Sequence, residues 1–401
     1  MKHLTHCLLA IFLEGALSGM VEAAPLTTSV YVIQNSAVSN QIAAFQQDPA
    51  TGSLRLIETY STGGLGRPSI DGNSSHALVA RGQHLFAVNS GDHSISAFEI
   101  LTGGTLKFQG RYASGGYVPV SMAIHRDHLL VLHQGAISEG LHGGISAFRI
   151  TREGSLQPIP SAHFDYLPGD LPVDILAAPT SDVFGVSRKL AGNVDIFRLS
   201  KDGFVLRTDS IGGLQEPYGG ASLPERCSPG SKRMNLRNFF AITQSKEDQP
   251  GVLAFKTSSR GAAQQMNQNI RPQLLDPCWA ALHPDGKRLW VSAFARRSLS
   301  LYGLEKNGGL EWVSDLAPLD QGPGGLDITI SSDGLYLFRL SAFDKKPPFL
   351  PTRPYIDTFR IVNQPDSADL KRIESLPFPE SWSQSSPMGI VAVTRKPGTV
   401  Q

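Results

Sequence analysis

Ile42-Ala43-Ala44-Phe45 decides the fold, because it comes back six times: as Ile95-Ser96-Ala97-Phe98, Ile145-Ser146-Ala147-Phe148, Val194-Asp195-Ile196-Phe197, Val252-Leu253-Ala254-Phe255, Leu299-Ser300-Leu301-Tyr302 and Ile356-Asp357-Thr358-Phe359. The aromatics are 53, 50, 49, 58, 47 and 57 residues apart. A fixed period of this size marks a repeat architecture. Most copies run into a glycine turn and another apolar residue, as in Asp48-Pro49-Ala50-Thr51-Gly52-Ser53-Leu54, which reads as strand, turn, strand. A β-rich run precedes each copy: Val30–Asn35, Leu85–Asn89, Leu129–His133, Val183–Arg188, Phe239–Gln244, Leu289–Phe294 and Tyr336–Ser341. A further run lies upstream, as in Cys278–Pro284 and Leu326–Ser332, each before Asp-Gly. Four strands per unit and seven units predict an all-β, seven-bladed β-propeller. A solenoid would need a helical period, which is missing. The first run, Val30–Asn35, aligns with a second strand, and the last, Gly389–Val393, with an innermost one. The last blade is therefore expected to be closed by both chain ends, with Val30–Asn35 pairing beside Ile356–Phe359 and Gly389–Val393.

The chain has 401 residues, with Lys+Arg 36 against Asp+Glu 35 and a net charge of +1. That balance offers no basic face for phosphates, so no nucleic-acid partner is expected. Charged residues are 18% and hydrophobic ones 41%, enough for a packed core. Lys2 and His3 precede the apolar Leu8–Leu13, and Val21-Glu22-Ala23 offers small residues for cleavage. Residues 1–23 read as a secretory signal peptide and 24–401 as one propeller domain. No stretch is long enough to span a bilayer. The expectation is a secreted or secretory-pathway monomer, glycosylated at Asn73 in the sequon Asn73-Ser74-Ser75. Cys227 and Cys278 sit at opposite ends of successive inner strands, roughly 20 Å apart, so two unpaired thiols are expected.

Phe45-x-x-Asp48-Pro49-Ala50-Thr51-Gly52-Ser53-Leu54 and His283-Pro284-Asp285-Gly286-Lys287-Arg288-Leu289-Trp290-Val291 resemble the seven-bladed lactonase family, which includes bacterial-type 6-phosphogluconolactonases and fungal carboxymuconate-lactonizing enzymes. The resemblance spans about residues 29–394, and the leader and divergent blades look like a fungal secreted branch. It implies a central channel in which His and Arg, with a Glu nearby, act on a lactone. The matching triplets are Ser75-His76-Ala77, Pro119-Val120-Ser121, Pro172-Val173-Asp174, Pro217-Tyr218-Gly219, Pro277-Cys278-Trp279, Gly325-Leu326-Asp327 and Pro387-Met388-Gly389. Their third members are expected to form the channel ring. That ring holds neither His nor Arg, and His76 falls one position off it. Hydrolysis needs a group to activate water and a donor for the oxyanion, so the departure points away from a hydrolase.

The second-strand ends and the triplets supply other candidates. Arg188, His133 and Gln244 are the candidate catalytic donors; Trp279, Tyr218, Asn89, Phe294, Trp382, Asp174 and Asp327 are the candidate substrate contacts. An aromatic wall with a few donors suits a planar, largely apolar small molecule. Asp174 and Asp327 could share a Ca²⁺, but two carboxylates are too few oxygen ligands. No CxxC, HExxH, GxSxG or P-loop occurs, so no metal and no cofactor are expected. The reading is a cyclisation or isomerisation enzyme, for example a cycloaddition step in fungal secondary metabolism. A lactone hydrolase using His133, Arg188 and Glu216, or a non-catalytic binding propeller, are the alternatives.

Overall fold

A computed structural model describes residues 26–68, 76–178, 181–200, 203, 205–223, 238–316, 324–343, 351–363, 368–383 and 385–395. Residues 1–23, expected to be a leader, the Asn73 sequon and Cys227 lie outside these. The described strands form seven antiparallel sheets of four. Blade 1 comprises Thr27–Ile33, Gln41–Gln47 and Leu54–Ser61 with Ile390–Arg395 innermost. Blades 2 to 7 follow in chain order, their inner strands being Leu78–Arg81, Pro119–His125, Pro172–Ala177, Pro217–Ser222, Pro277–Leu282 and Gly324–Ile330. No helix is long and apolar enough to cross a membrane among the described residues.

The recurring tetrapeptide is the third strand of every blade, and its aromatic has a mechanical role. In all seven blades the register to the outer strand slips just before it or across it, for example at Ala44/Phe45, Ile196/Phe197 and Leu301/Tyr302. Such a bulge twists and breaks the exposed edge, which blocks edge-to-edge pairing. The aromatics themselves are buried, at most 2% exposed, which stabilises each blade by roughly 2–3 kcal/mol.

Closure joins the two chain ends, with Val30 opposite Ala392 and Tyr31 opposite Val391. One expected pairing is corrected. Val30 also lies opposite Phe45, whereas Ile356–Phe359 belongs to blade 7. The final blade thus takes three strands from the N-terminal end and one from the C-terminal end, because the local Ile42–Phe45 hairpin forms with far less loop to close. Gly389, just before the closing strand, has φ +118, and a Cβ there would lie 2.9 Å from Ile33 Cγ2 and 3.1 Å from Ala77 Cβ. Gly389→Ala should therefore destabilise the protein by about 1–3 kcal/mol, read as a lower urea midpoint. An unchanged midpoint would contradict this placement of the closing strand.

Candidate active site

The blades aim their inner strands at the channel with a repeated device. The residue before each inner-strand proline holds a left-handed backbone: Val118 (φ 57), Leu171 (φ 46), Glu216 (φ 51) and Asp276 (φ 65). Non-glycine residues rarely adopt it, and a β-branched one less still. The kink is held by the same hydrogen bond each time, since these four carbonyls accept from the N–H groups of Gln134, Lys189, Ser245 and Phe294 at 2.8–3.0 Å. A bulge follows at once, between Pro119 and Ser121, Pro172 and Asp174, Pro217 and Gly220, and Pro277 and Trp279; blade 7 has one between Gly325 and Ile328. Bulges re-aim side chains, and here they fall on the ring positions.

Asp174 is the hub of the ring. Its Oδ1 accepts from Ser121 Oγ at 2.7 Å, from Ile175 N at 3.0 Å and from His76 Nδ1 at 2.9 Å. Its Oδ2 accepts from Gly220 N at 3.0 Å, in the next blade. Asp327 repeats the pattern, accepting from Ile328 N at 2.9 Å and from Ile390 N at 3.1 Å, again in the next blade. In both cases the next ring position is a glycine, Gly219 or Gly389. Each aspartate therefore staples two blades.

His76 is the residue that sequence reasoning missed. The structure puts its imidazole on Asp174, inside the channel. Ser121, Asp174 and Asp327 are at most 1% exposed, while the His76 side chain is 31% exposed. It is thus the member of this cluster that meets solvent. The reason for the miss is position: His76 precedes the regular inner strand Leu78–Arg81, where alternation no longer assigns a side chain to one face. A signal was present. The middle triplet members Val120, Val173, Tyr218, Cys278, Leu326 and Met388 are all buried, and His76 alone in that column is a titratable base. Burial pulls its pKa down, but the charge and hydrogen bond of Asp174, helped by Asp327, raise it on balance. Its stabilising contribution is then fully present below the ordinary value near 6.5 and fades as pH rises through the raised one. Burial also pushes Asp327 well above the usual carboxylate range, against the opposing His76 charge and two backbone N–H groups.

The other candidates are at most 9% exposed, packed within the blades and not at an open mouth. The Arg188 guanidinium meets Asp195 and Asp170, each at 3.0 Å, and covers the Tyr166 ring. Gln244 Oε1 accepts from Gln215 N and Gln268 Nε2. Asn89 bridges Asn40, Thr62, Ser94 and Ser96. Trp279 sits edge-on to Tyr218 at 5.8 Å, in one core with Phe294 and Trp382. Trp382 stacks on Phe378 at 4.8 Å. Of the ten, the structure sets Trp279 against Tyr218, and the charges of Asp174 and Asp327 both act on His76. Glu216 is one of the kinked residues. The Cys278 thiol is buried and donates to Asp276 Oδ1 at 3.1 Å. No group of three or more His, Cys, Asp or Glu fit to hold a metal occurs among the described residues.

His133 Nε2 donates to the Ser114 carbonyl at 3.1 Å, and burial depresses its pKa to about 4. A depressed folded pKa gives stability that is present above the ordinary value of 6.5 and is lost as pH falls through 4. Unfolding free energy should therefore drop by about 3 kcal/mol across that window, and His133→Gln should flatten that part of the profile. A wild-type curve level between those pH values would contradict a neutral buried imidazole.

The family model described as "Lactonase, 7-bladed beta-propeller" matches residues 24–138, which include His76 and Ser121. Among solved structures, the Pseudomonas aeruginosa periplasmic gluconolactonase superposes with TM-score 0.67 at 14% identity, covering 92% of this chain and 99% of its own. The chain shares the lactonase-type propeller fold. A candidate 6-phosphogluconolactonase from Bacteroides fragilis gives 0.67 at 15% identity, covering 92% and 98%. A hypothetical selenium-binding protein from Sulfolobus tokodaii gives 0.65 at 11%, covering 92% and 94%. No curated protein sequence matches. Such distant likenesses establish the scaffold, and the chemistry has to be argued from the channel.

Proposed function

We propose that this lactonase-like propeller is an enzyme that opens a small lactone by proton transfer in its central channel, with His76 as the reacting base and acid. The carrying observation is the 2.9 Å His76–Asp174 contact on the water-accessible wall. Asp174 holds the Nδ1 proton, so the neutral imidazole carries its lone pair on Nε2, where it can take a proton from water. The imidazolium then formed can return it to the leaving oxygen. Ser121 is not the nucleophile, because its hydroxyl donates to Asp174 and not to the imidazole. A channel ring without imidazole would argue against hydrolysis; His76 supplies the imidazole. Cyclisation or isomerisation is the second reading, favoured by the raised His76 pKa. An imidazole protonated to higher pH is suited to donating to a substrate carbonyl, the step ring closure needs. Secretion through the N-terminal leader and a monomeric state complete the proposal. The test is a panel of γ- and δ-lactones followed by pH-indicator assay. Hydrolysis that rises with pH to a plateau set above 6.5, and shifts to lower pH in Asp174→Asn, is expected. Folded protein that opens none of them would overturn the hydrolytic reading and leave ring closure to be assayed with the corresponding open-chain acids.

A further inference from the structure

Arg339 occupies a position where four other blades carry Val131, Val186, Ile242 and Val291, each paired to the inner and third strands in the same register. It is 1% exposed. A guanidinium so deep normally demands a carboxylate in hydrogen-bonding contact. Asp357 lies 3.7 Å from Nη1, but its oxygens already serve Arg372 at 3.0 Å, Ser375 and Ser341. Arg339 Nε and Nη2 are buried with no hydrogen-bond partner. These two nitrogens form one edge of the planar group, the parallel fork that grips an oxyanion. The fork lies against Gly325, where any Cβ would collide with the guanidinium. Arg297, from blade 6, and Arg372 add positive charge around it. Asp357 offsets the charge only from 3.7 Å and from the other side of the group, and an orphaned buried donor pair in a native fold calls for an occupant.

We propose that the Arg339 fork is a binding site for one small planar monovalent oxyanion of the carboxylate type, held beside Gly325. The site is separate from the channel imidazole and does not depend on what His76 does. Melting temperature should be followed in 0–200 mM sodium formate, with ionic strength held constant by sodium gluconate, an anion too bulky for an enclosed site. Wild-type protein should show a saturable rise of at least about 2 °C, with chloride at the same concentrations giving a smaller one. Arg339→Leu should fold, because aliphatic residues fill this position elsewhere, and should lose the formate response. Should the leucine variant fail to fold, Arg339→Lys keeps the charge without the fork and should move the formate midpoint at least tenfold higher. A wild-type melting temperature indifferent to formate, an equal response to chloride, or an unaltered response in either variant would overturn the site.

Discussion

Replacing His76 by Gln is expected to cut lactone turnover roughly 100- to 10,000-fold while moving the melting temperature little. The side chain is the solvent-reaching member of the channel cluster, so its removal breaks no core packing. Glutamine can still donate to Asp174 but cannot cycle a proton near neutral pH. Steady-state kinetics with a lactone from the panel, beside a thermal melt, read both quantities. A His76→Gln enzyme with turnover within a few-fold of wild type would show that the imidazole is a bystander.

Asp174→Ala carries the largest expected loss of stability, about 3–5 kcal/mol. It strips the acceptor from Gly220 N and from the Ser121 hydroxyl at once, and leaves Ile175 N only its longer bond to Ser121 Oγ at 3.2 Å. These groups are buried and have little water to turn to, so the desolvation cost stays. Asp174→Asn keeps the shape and loses the charge, and should cost less stability while depressing activity nearly as much as His76→Gln. Chemical denaturation of both variants separates the two roles. If Asp174→Ala were as stable as wild type, the aspartate would not staple blades 4 and 5.

The propeller was legible because its signal is written seven times. The tetrapeptide, the glycine turns and the strand before each copy all survive divergence, since every blade must bury the same aromatic and bulge the same edge. The channel was legible only in part. Aligning the triplets placed Ser121, Asp174 and Asp327 on the inner strands, yet left His76 out, because it precedes the regular strand Leu78–Arg81, where alternation assigns no face. Arg188 and His133 looked functional as polar residues at strand ends. The sequence could not show that Asp195 and Asp170 wait for the guanidinium, nor that the Ser114 carbonyl takes the imidazole proton. Those partners come from neighbouring strands and loops, where spacing along the chain carries no information. Trp279 likewise reads as a platform but packs against Tyr218 in the core.

The most direct measurement needs no substrate: the NMR titration of the His76 imidazole in wild-type protein and in Asp174→Asn. A titration midpoint above 6.5 is expected in the wild type, because Asp174 and Asp327 outweigh burial. In Asp174→Asn the carboxylate charge beside it is gone, so burial should win and the midpoint should fall below 6.5. A wild-type midpoint at or below 6.5 that Asp174→Asn leaves unmoved would contradict the His76–Asp174 pair as the reacting centre of the channel.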